Sequence, residues 1–108
     1  MKILITGGLG HIGSYLLENI GKIKLIKKVY IIDSLVTNRY CSLFNLQKIN
    51  KKIYFYQKDL STNNALKNFI RVDVVINLAS LTDAETSLKI KNEIYRNNFG
   101  IFKNVLKY

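Results

Sequence analysis

The segment Thr6-Gly7-Gly8-Leu9-Gly10-His11-Ile12-Gly13 constrains this chain more than any other part of it. It follows a β-rich run, residues 2–6, and opens a stretch with apolar residues at Ile12, Leu16, Ile20 and Ile23, a helical spacing over residues 11–23. A glycine cluster between a strand and a helix has a physical reading. Gly7 permits the tight turn. Gly10 lets the backbone approach a bound group, and Gly13 lets the helix pack close to the sheet. The unpaired N–H groups at the helix start, with the helix dipole behind them, suit a pyrophosphate.

Asp33 stands twenty residues past Gly13, at the end of a second apolar run, residues 28–32. A carboxylate there accepts both ribose hydroxyls of an adenosine and repels a 2′-phosphate, which favours NAD over NADP. The bland alternative is a plain glycine turn and a strand-end acid. Asp59 ends a third run, residues 52–57, in Lys58-Asp59-Leu60. It has two open readings: an acceptor for the adenine amino group, or a helix cap or solvated loop acid.

The rest of the chain alternates in the same manner. A short helix is expected over residues 42–49 and a helix from Ser61 to Ile70, burying Ala65, Leu66, Phe69 and Ile70. Residues 73–79 read as a fourth strand. A long helix from about Ser87 to Tyr108 has Ile90, Ile94, Phe102, Val105 and Leu106 for packing. Strand–helix alternation with near-continuous apolar strands implies a parallel sheet covered on both faces. The expected fold is α/β, the N-terminal portion of a Rossmann-type doubly wound sheet, about four strands in the order 3-2-1-4.

Composition narrows the function classes. No apolar run approaches the roughly 20 residues of a membrane span. One cysteine, Cys41, and one histidine, His11, exclude an internal disulfide and a His/Cys zinc cluster within one chain. The expectation is a soluble cytoplasmic domain without membrane or nucleic-acid partners. Seventeen Lys and Arg against seven Asp and Glu give a net charge of +10, which invites a nucleic-acid reading. Fourteen of the seventeen are lysines, scattered apart from Lys27–Lys28 and Lys51–Lys52. Ile, Asn and Tyr are abundant as well, a pattern that AT-rich codons produce at tolerant surface positions. Cys41 has no histidine near it in sequence to activate it, and Asp83 and Glu85 read as caps or solvated charges.

The motifs resemble those of the extended short-chain dehydrogenase/reductases, the NAD-dependent epimerase/dehydratase family of nucleotide-sugar enzymes. The glycine turn is similar to the family's TGxxGxxG. Ile31-Ile32-Asp33-Ser34-Leu35 resembles its strand ending in Asp, and Lys58-Asp59-Leu60 its Gly-Asp-Ile/Leu. Asn77-Leu78-Ala79-Ser80 resembles its His-Leu-Ala-Ala, and Tyr95-Arg96-Asn97-Asn98-Phe99-Gly100 its Tyr-x-x-Asn-Val-x-Gly. The resemblance implies that Gly7, Gly10, His11, Ile12 and Gly13 hold the pyrophosphate of NAD. It implies that Asp33 and Ser34 hold the adenosine ribose, and that Asp59 and Leu60 read the adenine. Leu78, Ala79 and Ser80 would line the cofactor, and Asn97 would brace the central strands near the nicotinamide. The chain departs from the pattern at His11, Lys58, Asn77 and Ser80. A catalytic role for His11 is not expected, since its backbone N–H is the group that matters there.

The family's chemistry uses a Tyr-x-x-x-Lys pair. The one match here, Tyr54 and Lys58, lies on a strand leading to the adenine end and is rejected. The resemblance therefore implies an incomplete NAD-binding Rossmann domain over residues 1–108, without the substrate domain. The intact enzyme would act on a nucleotide sugar, with no catalytic residue among these 108. The alternatives are a non-catalytic dinucleotide-binding module, a truncated gene product and a basic nucleic-acid binder. Residues 74–79 would form an apolar sheet edge, open to self-association.

Overall fold

The computed structural model describes residues 1–82 and 91–108. In chain order the elements are β1 (Lys2–Thr6), α1 (His11–Ile20), β2 (Lys28–Asp33), α2 (Cys41–Leu46), β3 (Lys52–Gln57), β4 (Val74–Asn77) and α3 (Lys91–Lys107). The four strands form one sheet in the order β3-β2-β1-β4, and every neighbouring pair is parallel. This is the expected architecture. It follows from strands too apolar to tolerate a wet face: in both β1 and β2 four consecutive residues are buried.

Side-chain alternation divides the core. Ile3, Ile5, Val29 and Ile31 pack on one face with Leu17 and Ile20 of α1 and Ile26. Leu4, Tyr30 and Ile32 pack on the other with Leu60, Ala65, Leu66 and Ile101 of α3. Each fully buried aliphatic side chain contributes about 1.5–3 kcal/mol. The central strands thus hold the molecule together and fix the strand ends, where the candidate site lies.

Several expected boundaries move. α1 ends at Ile20 rather than residue 23, because the chain tightens there: Lys22 N–H donates to Asn19 O and Ile23 N–H to Ile20 O. Its buried residues are Gly13, Leu17 and Ile20. Ile12 is 71% exposed and Ile23 44%, so neither belongs to the packed face. α2 spans Cys41–Leu46, and β4 only Val74–Asn77.

The helix expected over residues 61–70 does not form. The segment is a series of turns. Asn64 and Asn68 have φ of 55° and 61°, left-handed values through which a right-handed helix does not propagate. Leu60, Ala65 and Leu66 are buried nonetheless, whereas Ile70 is exposed. On α3 the buried residues are Ile101 and Asn104, while Phe102 and Leu106 face outward. Asp83, Glu85, Ser87 and Ile90 lie outside the described residues.

Candidate functional site

The carboxyl ends of the four parallel strands converge on the glycine turn. In a doubly wound sheet this edge is where ligands bind. Gly7 has φ of 64°, and a β-carbon on it would lie 2.7 Å from Ala79 Cα and N. Its N–H donates to Ile32 O at 2.8 Å, and its carbonyl accepts Gly10 N–H at 3.1 Å. A β-carbon on Gly13 would lie 2.5 Å from Gly8 O. The chain's own packing therefore requires glycine at both positions.

Gly10 differs. Its φ of −66° suits any residue. A β-carbon there would meet only Gly7 O, at 3.3 Å. Internal packing places a weak demand on this glycine, and its bare face adjoins the start of α1. No side chain caps that helix, and no acid stands in its first turn. The first-turn N–H groups, those of His11, Ile12 and Gly13, have no partner within the helix. His11 and Ile12 themselves are exposed.

Asp33 closes the turn from the neighbouring strand. Its Oδ2 accepts Leu9 N–H at 3.0 Å, and its Oδ1 accepts Leu35 N–H at 2.9 Å. A carboxylate offers about four lone-pair sites, so each oxygen retains capacity for a hydroxyl. Leu35 is buried at φ 60°, a conformation that costs a non-glycine residue about 1–2 kcal/mol. The Asp33 bond helps to hold it there. Ser34 is exposed, and its Oγ accepts Val36 N–H at 3.4 Å.

Lys58 N–H donates to Asp33 O at 2.9 Å and brings the loop after β3 beside the acid. Asp59 is exposed. Its Oδ1 accepts both the N–H and the hydroxyl of Ser61, at 2.8 and 2.7 Å. Of its two open readings the local one is visible, as the cap of a turn rather than of a helix. Leu60 is buried, and its carbonyl accepts Asn104 Nδ2 at 2.8 Å. The same amide donates to Thr62 O at 2.7 Å. A β-carbon on Gly100 would lie 2.9 Å from Ser61 O, so α3 runs close against this loop.

On the other side of β1, Thr6 is fully buried and donates its hydroxyl to Asn77 Oδ1 at 2.5 Å. Its Oγ1 accepts Ala79 N–H at 3.4 Å, and its carbonyl accepts Leu78 N–H at 3.0 Å. Leu78 and Ala79 are half-buried and Ser80 is exposed. The tie between α3 and the segment after β4 runs through Asn98, one position past Asn97. Asn98 Oδ1 accepts Leu81 N–H at 2.7 Å, and its Nδ2 donates to Leu81 O at 3.1 Å.

Reading the sequence missed Thr6, Asn98 and Asn104 as positioning residues. The Tyr-x-x-Asn spacing from Tyr95 counts to Asn98, so that signal was present. Asn104 carried none beyond a polar residue on the packed side of a helix. Ser14 and Ser42 were missed too; both hydroxyls donate to Leu9 O, at 3.2 and 3.3 Å, and steady the turn from α1 and α2. Among the described residues no cluster of His, Cys, Asp and Glu is arranged to hold a metal ion. None of their helices is long and apolar enough to cross a membrane.

Residues 3–108 match the family model described as NAD dependent epimerase/dehydratase family. The chain is 35% identical over 105 residues to a dTDP-D-glucose 4,6-dehydratase of Dictyostelium discoideum, covering 90% of this chain and 23% of that protein. It is 33% identical over 102 residues to a UDP-glucose 4-epimerase of Yersinia enterocolitica, covering 91% and 30%. The crystal structure of a UDP-glucuronic acid 4-epimerase from Bacillus cereus, in complex with UDP-glucuronic acid and NAD, superposes with a TM-score of 0.71. That match has 26% identity and covers 96% of this chain and 36% of the other. The chain spans between 23% and 36% of the length of these three proteins.

Proposed function

We propose, from the premise that this chain belongs to the NAD dependent epimerase/dehydratase family, that it is the NAD-holding N-terminal portion of a nucleotide-sugar enzyme. Residues 1–108 form, on this reading, an incomplete Rossmann domain whose sugar-binding part lies elsewhere. The observation that carries it is the pairing of Gly10 with Asp33. A bare glycine face with little internal justification borders an uncapped helix start, and an acid with spare acceptor capacity is pinned to the same turn.

These residues fit the dinucleotide. The N–H groups of His11, Ile12 and Gly13 face a pyrophosphate that approaches over Gly10. Asp33 accepts the two hydroxyls of the adenosine ribose, with Ser34 beside it, and its charge disfavours a 2′-phosphate. Asp59 and the backbone of Leu60 receive the adenine. Asp59 Oδ1 already serves Ser61, which leaves its other oxygen for the base. Leu78, Ala79 and Ser80 flank the cofactor beyond β4, and Asn97 adjoins the Asn98 brace at the nicotinamide end. Bound there, NAD supplies a hydride acceptor and donor. None of these side chains performs the proton transfer, and the substrate, a nucleotide sugar, meets residues outside this segment. The compartment is the cytoplasm. The outer edge of β4 is a route to self-association.

Titration of the chain with NAD and NADP tests this reading. NAD binding, weaker NADP binding and a loss of NAD affinity in Asp33→Ala support it. Equal affinity of the parent chain and Asp33→Ala for NAD overturns the ribose assignment.

A further inference from the structure

The lysines that look scattered in sequence are gathered by the fold. Lys2, Lys28 and Lys52 are register partners across β1, β2 and β3, so three ammonium-bearing residues stand side by side at the amino edge of the sheet. Neighbouring strands lie about 4.8 Å apart, so the row is dense in like charge. The segment joining α1 to β2 reaches the same edge and carries exposed Lys22, Lys24 and Lys27. Between them, Ile23 is 44% exposed and Leu25 66%.

This segment is held in place. Lys51 Nζ donates to Ile23 O at 3.1 Å, and Met1 N donates to Leu25 O at 2.9 Å. The two carbonyls are thus occupied from the protein side while both apolar side chains stay exposed. Among the described residues, acids at this end are few. Asp73 accepts Lys2 N–H at 2.6 Å, and Glu18 is exposed near the end of α1. Lys22 and Lys48 Nζ donate to the neutral oxygens of Asn19 and Asn45.

We infer that this amino edge, basic and tipped with Ile23 and Leu25, docks on an anionic membrane surface. Lysines are compact, strongly hydrated point charges suited to a diffuse field of headgroups, whereas base and phosphate readers favour arginine forks. Arg71 is engaged within the fold: it donates to Tyr108 O at 3.0 Å and lies over the Tyr108 ring. Tyr54 of β3 has one ring face stacked on Tyr30, with centroids 5.2 Å apart. Exposed aliphatic side chains among lysines fit the headgroup boundary, where apolar tips insert and ammonium groups remain wet. The candidate dinucleotide site lies at the opposite edge, about 15 Å away along β1, and remains accessible.

Co-sedimentation of the chain with vesicles tests the inference, using phosphatidylcholine alone and phosphatidylcholine mixed with phosphatidylserine. Retention is expected on the mixed vesicles only and falls as salt rises. Lys24→Gln and Lys27→Gln each weaken it about fivefold. Leu25→Ser weakens it without altering the salt dependence, and Lys103→Gln on α3 leaves it unchanged. Absence of retention on the mixed vesicles at low salt overturns the inference. So does an equal loss in Lys103→Gln, which reduces the effect to net charge. Displacement by single-stranded DNA, with Leu25→Ser binding like the parent, would make this edge a nucleic-acid surface instead.

Discussion

Leu9 donates its backbone N–H to Asp33 Oδ2 across 3.0 Å, so the last residue of β2 holds the turn that follows β1. One carboxylate thereby does two jobs. It fixes the glycine loop to the end of β2 through Leu9, and through its other oxygen it holds Leu35 in the loop that follows β2. Lys58 N–H on Asp33 O adds the loop after β3 to the same junction. The three segments assigned to the adenosine half of a dinucleotide are therefore tied through one residue.

Asp33→Ala removes two hydrogen bonds to a charged acceptor, at Leu9 and Leu35. Such bonds contribute about 1.5–3 kcal/mol. The expected result is a lower midpoint of urea unfolding together with at least a tenfold loss of NAD affinity, about 1.4 kcal/mol. Calorimetric titration at saturating stability (low temperature, no denaturant) separates the two effects. A destabilised variant that still binds NAD like the parent would leave Asp33 as an anchor of the turn only.

Gly10 and Gly7 should respond in opposite ways to alanine. Gly10→Ala meets only Gly7 O at 3.3 Å and keeps an ordinary φ, so stability changes by less than about 1 kcal/mol. On the proposed reading NAD binding should be lost, because the added methyl would occupy the approach of the pyrophosphate. Gly7→Ala combines a left-handed φ with backbone atoms at 2.7 Å, and left-handed strain alone costs about 1–2 kcal/mol. Thermal unfolding of both variants, beside their NAD titrations, checks the contrast. Gly10→Ala binding NAD normally would remove the main support for the site.

Much of this was legible because two periodicities and one turn carry it. The runs that became β1, β2 and β3 are apolar through their middles, at 3–5, 29–32 and 53–56, and Gly7 and Gly13 sit where backbone approaches backbone, as at Gly7 and Ala79. The segment 61–70 was not legible. Its apolar residues have helical spacing, but Asn64 and Asn68 take left-handed conformations that asparagine tolerates and that spacing does not reveal. Leu66 and Ala65 are buried by turns instead of a helix. Ile12 misled for a related reason: it belongs to a helical stripe by count, yet the buried side of α1 is set by Gly13, whose missing β-carbon admits Gly8 O. Side-chain ties between distant segments, such as Asn104 to Leu60, leave no periodic trace at all.

Asn104 should be costly to lose. It is 8% exposed and donates from Nδ2 to both Leu60 O and Thr62 O. Asn104→Leu fills the space but leaves two carbonyls without that donor, at about 1–3 kcal/mol for each buried group left unsatisfied. A fall in unfolding free energy of this order is expected, with a smaller loss of NAD affinity as the loop bearing Asp59 loosens. Hydrogen exchange should report faster opening of residues 60–66 than of β1. Unchanged protection there would mean that Gly100 packing against Ser61 suffices to hold the loop.

The outer edge of β4 gives the last prediction. β4 bonds β1 on one side, and no described strand lies on its other side. An edge with exposed N–H and C=O groups and an apolar sequence, Val74-Val75-Ile76-Asn77, is a template for pairing. Two copies meeting across a two-fold axis would bring β4 against β4 and satisfy both edges. Sedimentation velocity should show mass rising with concentration. Val74, 39% exposed, is the position at which a charge disturbs the edge without entering the core. In Val74→Lys, the charge placed on each copy's edge opposes the pairing, so association weakens, and added salt partly restores it. A parent chain that stays monomeric at all concentrations would mean that this edge does not pair between copies.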